Sequence, residues 1–141
     1  MPNFSLVGFL LGLLVFTLGL NVLMMDPAHA ASKNNSAAMQ VVIEAPPPQV
    51  LRAASQAFQE WDRGELASVS EEAMQVKGLS RTRFFKFVDD ITVNLAAVEG
   101  DPQKTQVQIQ SVGRMGEYDF GGNQRNIDEY LAKLRGLLPA G

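Results

Sequence analysis

Apolar and polar positions follow three successive regimes along the chain. From Phe4 to Met25 nearly every residue is apolar, interrupted only by glycines, Ser5, Thr17 and Asn21, and Asp26-Pro27 ends the run. Residues 31–38 are small and polar with nothing to bury, and read as a linker. From Met39 the apolar residues recur at the short periods of strands and helices. Met39-Gln40-Val41-Val42-Ile43-Glu44 is β-branched and partly alternating, hence a strand, and Pro46-Pro47-Pro48 closes it because proline cannot donate to a ladder. Proline is tolerated in a helix's first turn, so a helix follows from Gln49, with Val50, Leu51, Ala54, Ala57 and Phe58 forming one stripe. Trp61 then reads as a core aromatic and Asp62-Arg63-Gly64 as a turn.

Two strands are predicted over Leu66–Ser70 and Met74–Arg83, with Glu71 to Gln75 open to a helical turn instead. Side chains alternate along a strand, so Arg81 and Arg83 would share a face. Phe84, Phe85, Phe87 and Val88 are too apolar for a solvent-facing strand, which predicts a bulge or bend near Phe84 that lets both sets reach a core. Ile91, Val93, Leu95 and Ala97 alternate with Thr92, Asn94 and Ala96; after Glu99-Gly100-Asp101-Pro102, Val107, Ile109 and Ser111 alternate with Gln106, Gln108 and Gln110. That is a hairpin with one apolar and one wet face. Ile127, Tyr130, Leu131, Leu134, Leu137 and Leu138 recur at three and four residues, a closing helix whose acids precede its bases as the helix dipole favours. The expectation is an α+β fold in strand-helix-strands-helix order: an antiparallel sheet of about four to five strands with two helices packed on one face.

The first regime bears on compartment. Residues 1–30 have the character of a signal peptide or an N-terminal membrane anchor. Ala28-His29-Ala30 offers a small-x-small cleavage pattern after Ala30. Against simple cleavage, the apolar run is long enough to span a bilayer, which takes about 20 residues, and no Lys or Arg precedes Lys33. Both alternatives imply export, either soluble after cleavage near Ala30 or tethered by residues 4–25. The remaining 39–138 suffices for one domain.

Charge and composition narrow the chemistry. The 141-residue chain carries 12 basic and 15 acidic side chains, net −3, with no basic cluster of the kind nucleic-acid phosphates demand. There is no cysteine, and the single histidine, His29, lies in the cleavage region. The domain beyond it therefore lacks the residues for Ser-His-Asp or Cys-His nucleophilic sites and for imidazole or thiolate metal ligation. No metal or cofactor is expected.

The densest stretch of special residues is Ser111–Ile127, read as a strand running into a glycine-rich loop that opens a helix at about Asn123, with pairing among Arg114, Glu117, Asp119 and Arg125. Backbone N–H groups of Gly121, Gly122 and Asn123 at a helix N-terminus, near Arg114 and Arg125, could hold a phosphate or carboxylate. The alternative makes Asp119 an internal anion that locks the loop, with Asn123 as the N-cap. The loop has neither Gly-Lys-Ser/Thr nor the dinucleotide-binding spacing. Asp89-Asp90 point to opposite strand faces. One is expected to be a structural partner of Arg81, Arg83 or Arg114 and the other a solvated strand end.

Phe85-Lys86-Phe87-Val88-Asp89-Asp90-Ile91-Thr92-Val93, Val107–Gly116 and Asp119-Phe120-Gly121-Gly122-Asn123-Gln124-Arg125-Asn126-Ile127 together resemble the family called domain of unknown function 1499, over Met39 to about Leu138. The chain departs from that pattern at Val112-Gly113, where the family often has a serine before Arg114, and at Gly122, where a larger apolar residue is usual. The resemblance implies a bacterial or plastid protein behind a hydrophobic N-terminus, hence periplasm or thylakoid lumen, and it implies no reaction.

Three function classes remain open. The favoured one is a non-catalytic domain that binds or assists a membrane-associated partner, through the sheet face of Thr92, Asn94, Gln106, Gln108 and Gln110 or through the loop. The second is a small-anion or lipid-headgroup module centred on Arg83, Arg114 and Arg125. The third is a carboxylate-based hydrolase, which needs two acids flanking one bond in a cleft.

Overall fold

The computed structural model describes residues 35–116 and 121–140. The apolar run 4–25 and Asp119 lie outside them. Five strands, β1 (Ser36–Ile43), β2 (Gly64–Ser70), β3 (Gln75–Arg81), β4 (Val88–Val98) and β5 (Asp101–Gly113), and two helices, α1 (Pro47–Glu60) and α2 (Gly122–Gly136), follow in the order β1-α1-β2-β3-β4-β5-α2. The sheet order is β1-β5-β4-β3-β2 and every pairing is antiparallel. The α+β architecture read from the sequence is the one observed.

Register aligns the inward-facing side chains in rows. Met39, Ile109, Val93 and Val76 oppose one another across β1, β5, β4 and β3, and Val41, Val107 and Leu95 make the next row. α1 buries Val50, Leu51, Ala53, Ala54, Ala57 and Phe58 against this face, and α2 buries Ile127, Tyr130, Leu131 and Leu134 in the same cluster. The small residues of α1 let the helices approach. Tyr130 sits at the junction, its ring centroid 4.5 Å from that of Phe58 and 6.3 Å from that of Trp61, and its hydroxyl donates to the Ala54 carbonyl at 2.8 Å. Burial pushes that phenol's pKa far up, so it stays a donor at any physiological pH.

Local expectations are corrected at several points. β1 starts at Ser36, not Met39, because Ser36, Ala37 and Ala38 pair with Val112, Ser111 and Gln110; the linker is correspondingly shorter. α1 starts at Pro47, with Pro46 as its N-cap and Pro47 and Pro48 in its first turn. Glu71 to Met74 form a turn closed by the Met74 N–H on the Glu71 carbonyl at 3.3 Å. Ala97 is exposed at the end of the hairpin, whose turn shortens to Glu99-Gly100 with Gly100 at φ +78°.

The largest difference falls after Arg81. β3 stops there, so Arg83 shares no strand face with Arg81. The chain reverses over Thr82–Phe87: the Thr82 N–H donates to the Phe87 carbonyl at 2.9 Å, and the Phe87 N–H donates to the Thr82 hydroxyl at 2.9 Å. Phe84, Phe85 and Phe87 do not reach the core. They are 91%, 76% and 48% exposed on this turn.

Gly78 of β3 faces α1, and a β-carbon there would press into the Phe58 ring and lie 2.7 Å from the Glu65 carbonyl oxygen. Gly78→Ala is therefore expected to cost about 1–3 kcal/mol in urea unfolding by overpacking, since the obstructing ring is itself fully buried.

Candidate functional site

The polar residues of α2 that interrupt its apolar stripe are Asn123, Asn126 and Glu129, three apart and so on one helix face. Asn123 and Asn126 are fully buried, where an amide must find partners. A continuous chain of hydrogen bonds supplies them. Asn35, just before β1, donates through Nδ2 to the Met115 and Gly116 carbonyls, each at 2.9 Å, and its Oδ1 accepts from Asn123 Nδ2 at 3.0 Å. Asn123 Oδ1 accepts from the Ser111 hydroxyl at 2.7 Å. Asn126 Nδ2 donates to that hydroxyl oxygen at 3.3 Å and to Asp89 Oδ2 at 2.7 Å. Asn126 Oδ1 accepts from Arg63 Nη2 at 2.9 Å.

Arg63 joins this chain to Glu129. Its Nη2 and Nε donate to Glu129 Oε2 at 2.7 and 3.1 Å, and the Trp61 indole N–H donates to the same oxygen at 2.9 Å. The guanidinium lies over the Trp61 ring, 5.1 Å from its centroid, a cation–π contact. The backbone is fixed as well, with Gly64 N–H on the Trp61 carbonyl at 2.8 Å and Arg81 N–H on the Arg63 carbonyl at 2.9 Å. Partial burial alone would raise the Glu129 pKa, but the hydrogen bonds from Arg63 and Trp61 and the charges of Arg63 and Arg125 outweigh it, leaving the carboxyl below its ordinary value.

This scaffold underlies a cleft of about 470 Å³ lined by Arg63, Arg83, Phe84, Phe85, Arg125 and Asn126, with Thr82, Asp89, Gly122 and Glu129 completing it. Arg63, Arg83 and Glu129 also border a neighbouring hollow that reaches Trp61 and Lys133. Gly121 holds φ +85°, which favours glycine, and its carbonyl accepts the Arg125 N–H at 3.1 Å, starting α2 beside the cleft.

Of the residues singled out in the sequence, Arg83, Asp89, Gly122 and Arg125 line this cleft and Gly121 adjoins it. Arg114 does not. It lies at the end of β5 and forms a two-pronged pair with Asp90, Nε to Oδ2 at 2.8 Å and Nη2 to Oδ1 at 2.7 Å, with both side chains about half exposed. Asp89 is no solvated strand end, since it faces the helices and accepts from Asn126 and, at 3.5 Å, from Ser80. Asn123 is not the N-cap; Gly121 occupies that position and the Asn123 side chain turns into the buried chain. Asn35, Trp61, Arg63, Ser111, Asn126 and Glu129 were not singled out as a site, although the Asn-x-x-Asn-x-x-Glu spacing on one helix face was a readable sign of a polar contact.

The family model for DUF1499, described as a protein of unknown function, matches residues 22–134. The chain belongs to the DUF1499 family. This DUF1499 domain shares its fold with the protein MLL2253 from Mesorhizobium loti at a TM-score of 0.53 and 16% identity, over 72% of this chain and 95% of that one. It is similar also to Ara h 8.0201, with a TM-score of 0.51 and 8% identity over 72% of this chain and 96% of that one. At such identities the likeness is one of fold alone. No protein of curated function matches the sequence.

Asn126→Ala in this DUF1499 domain removes partners from Arg63, Asp89 and Ser111 together, and is expected to cost about 2–3 kcal/mol in urea unfolding. Because the folded-state pKa of Glu129 is depressed, its contribution to stability is present above the ordinary carboxyl value and lost as pH falls through the lowered one. Glu129→Gln should thus melt below wild type at neutral pH, with the gap narrowing in melts taken below about pH 4.5.

Proposed function

We propose that this is an exported, non-catalytic binding domain whose arginine-lined cleft takes an anionic group of a membrane-associated partner, such as a phosphate or a lipid headgroup. The observation that carries this reading is that Arg83 and Arg125, both exposed and without an ion pair among the described residues, line one cleft with the first turn of α2. Helix N-termini favour anions, and guanidinium groups suit the oxygens of phosphate and carboxylate. Arg63, held by Glu129 and Asn126, supplies a fixed wall to the cleft. Export is supported by the apolar run 4–25 and the Ala28-His29-Ala30 pattern.

The hydrolase reading fits less well. Asp89 and Glu129 both border the cleft, yet Asn126 and Arg63 already hold them through hydrogen bonds. Glu129 is moreover held below its usual pKa, whereas a general acid needs the opposite shift. The sheet face of Thr92, Asn94, Gln106, Gln108 and Gln110 is half-buried, and Gln75 Nε2 already donates to Asn94 Oδ1 there at 2.7 Å.

Inorganic phosphate titrated into the ¹⁵N-labelled protein is expected to shift the amide signals of Gly122, Arg125 and Asn126. The Arg83→Ala, Arg125→Ala double variant should bind about tenfold more weakly with only a small change in melting temperature, since neither side chain is ion-paired among the described residues and Arg125 reaches Glu129 only through its charge. Amides that stay still at millimolar phosphate and millimolar glycerol phosphate would sink the proposal. Intact mass with fractionation checks export: the product either begins near Ala31 in a soluble extracytoplasmic fraction or retains residues 4–25 in membranes, and an intact chain in the cytosol contradicts it.

A further inference from the structure

We propose that the turn between β3 and β4 is a membrane-docking element that seats Phe84, Phe85 and Phe87 in the interfacial layer of an anionic bilayer. Six large apolar residues are exposed among the described ones, namely Val42, Val69, Phe84, Phe85, Phe87 and Met115. Four of them gather at one end of the sheet, because Phe84, Phe85 and Phe87 lie on the turn and Met115 follows Gly113, which opposes Asp89 at the start of β4. The Arg114 N–H donates to the Val88 carbonyl at 3.1 Å and ties that segment to the turn's exit. Exposed aromatics in a group mark an interaction surface.

The turn is built for display. Its base is closed by the two hydrogen bonds between Thr82 and Phe87, Lys86 takes a left-handed φ of 57°, and the Phe85 and Phe87 rings stack at 5.5 Å between centroids. The Phe85 and Phe87 rings are therefore held out as a stacked pair beside Phe84, on a closed turn that needs little further ordering on docking.

Charge selects the occupant. Arg81–Phe87 carries Arg81, Arg83 and Lys86 and no acid, in a chain whose acids outnumber its bases by 15 to 12. Glu65 holds Arg81 at 3.2 Å, which leaves Arg83 and Lys86 to meet a partner. Aromatic rings with adjacent cations suit the headgroup layer, where rings sit at the polar boundary and each cation near an anionic surface adds to binding. A protein partner would need a face of roughly 800 Å² a side, far more than the tip of one turn offers.

Topology puts the start of β1 at the same end. β1 begins at Ser36 opposite Val112, and Val112 opposes Asp90 of β4, so the chain enters the domain beside the turn. Asn35 fastens that entry to the Met115 and Gly116 carbonyls and to Asn123. Only residues 26–35 separate the apolar run from β1, a reach of at most about 35 Å. This inference rests on the proposed function in taking the membrane as the partner, but it does not need the cleft to be filled.

The chain has no cysteine, so one introduced cysteine carries a unique label. The full chain with Phe84→Cys, labelled with bimane, is mixed with phosphatidylcholine vesicles with or without phosphatidylglycerol and with spin-labelled lipid as quencher. Residues 4–25 alone can hold the full chain on vesicles, so the readout is taken at the turn. Quenching and a blue shift are expected with phosphatidylglycerol, but not for Gln103→Cys at the opposite end of the sheet. Adding Phe85→Ser and Phe87→Ser should weaken the vesicle-dependent quenching about tenfold or more at unchanged melting temperature. Arg125→Ala, which alters the cleft and not the turn, should leave the quenching as it is while reducing the phosphate response. A position-84 label that stays in water on phosphatidylglycerol vesicles, or one that responds no more than position 103, overturns the docking and leaves the cleft's phosphate binding to be judged on its own titration.

Discussion

The fold depends on the chain of side-chain hydrogen bonds that runs from Asn35 through Asn123, Ser111 and Asn126 to Arg63 and Glu129. Apolar packing alone would let α2 slide or rotate over the sheet at modest cost, because one aliphatic contact substitutes for another. Buried amides do not interchange in this way. Each is tolerable only in the register that gives it a partner, and displacement by a turn would strand several at once. Ser111 illustrates the economy of the arrangement: its one hydroxyl accepts from Asn126 and donates to Asn123, using both functions within a single buried row. The register of β5 against α2 is thereby fixed independently of the hydrophobic effect.

That constraint extends outward to the cleft. Asn126 holds Arg63 and Asp89 from opposite sides, and Arg63 holds Glu129 against Trp61, so the floor and one wall of the cleft belong to the same rigid unit as the core. Arg83 and Arg125 are the adjustable parts, attached to a closed turn and to the first turn of α2. A preorganised wall with two exposed guanidinium groups suits a ligand that varies in detail but always presents negative oxygen atoms.

Much of the architecture was legible because it rests on periodicity. The β4–β5 hairpin alternates from Ile91 to Leu95 and again from Thr105 to Ser111, and both helices carry an apolar stripe that the sheet then covers. The site was harder to read because its residues come from Asn35, Trp61, Arg63, Ser111 and α2, which adjoin only after the strands have paired. The Gly122 and Arg125 loop was visible as a motif, but Arg114 was assigned to it on sequence proximity, and the alternation of β5 sends its end to the outer side with Asp90. The phenylalanines of the β3–β4 turn misled for a different reason. Apolar residues are normally assigned to a core, and nothing in local pattern separates a phenylalanine awaiting burial in protein from one left for another phase. Thr82 was the missing clue, since a threonine that caps its own turn ends the strand before the aromatic run begins.

Electrostatics then decides how such a domain can approach a membrane at all. With acids in excess over bases, the domain as a whole is repelled by an anionic surface at long range. Screening limits that repulsion to about 8 Å at physiological ionic strength, so at contact only the nearest charges matter. Arg83 and Lys86 lie on the turn that carries the exposed aromatics, while Glu71, Glu72 and Glu99 sit on turns at the other end of the strands. The approach that brings the phenylalanines to the headgroups also brings Arg83 and Lys86 there, and the neighbouring acids Glu65 and Asp90 are already paired with Arg81 and Arg114. For the proposed docking, the acidic excess and the aromatic turn act at different ranges: the first opposes approach at a distance, and the second favours this end once contact is made.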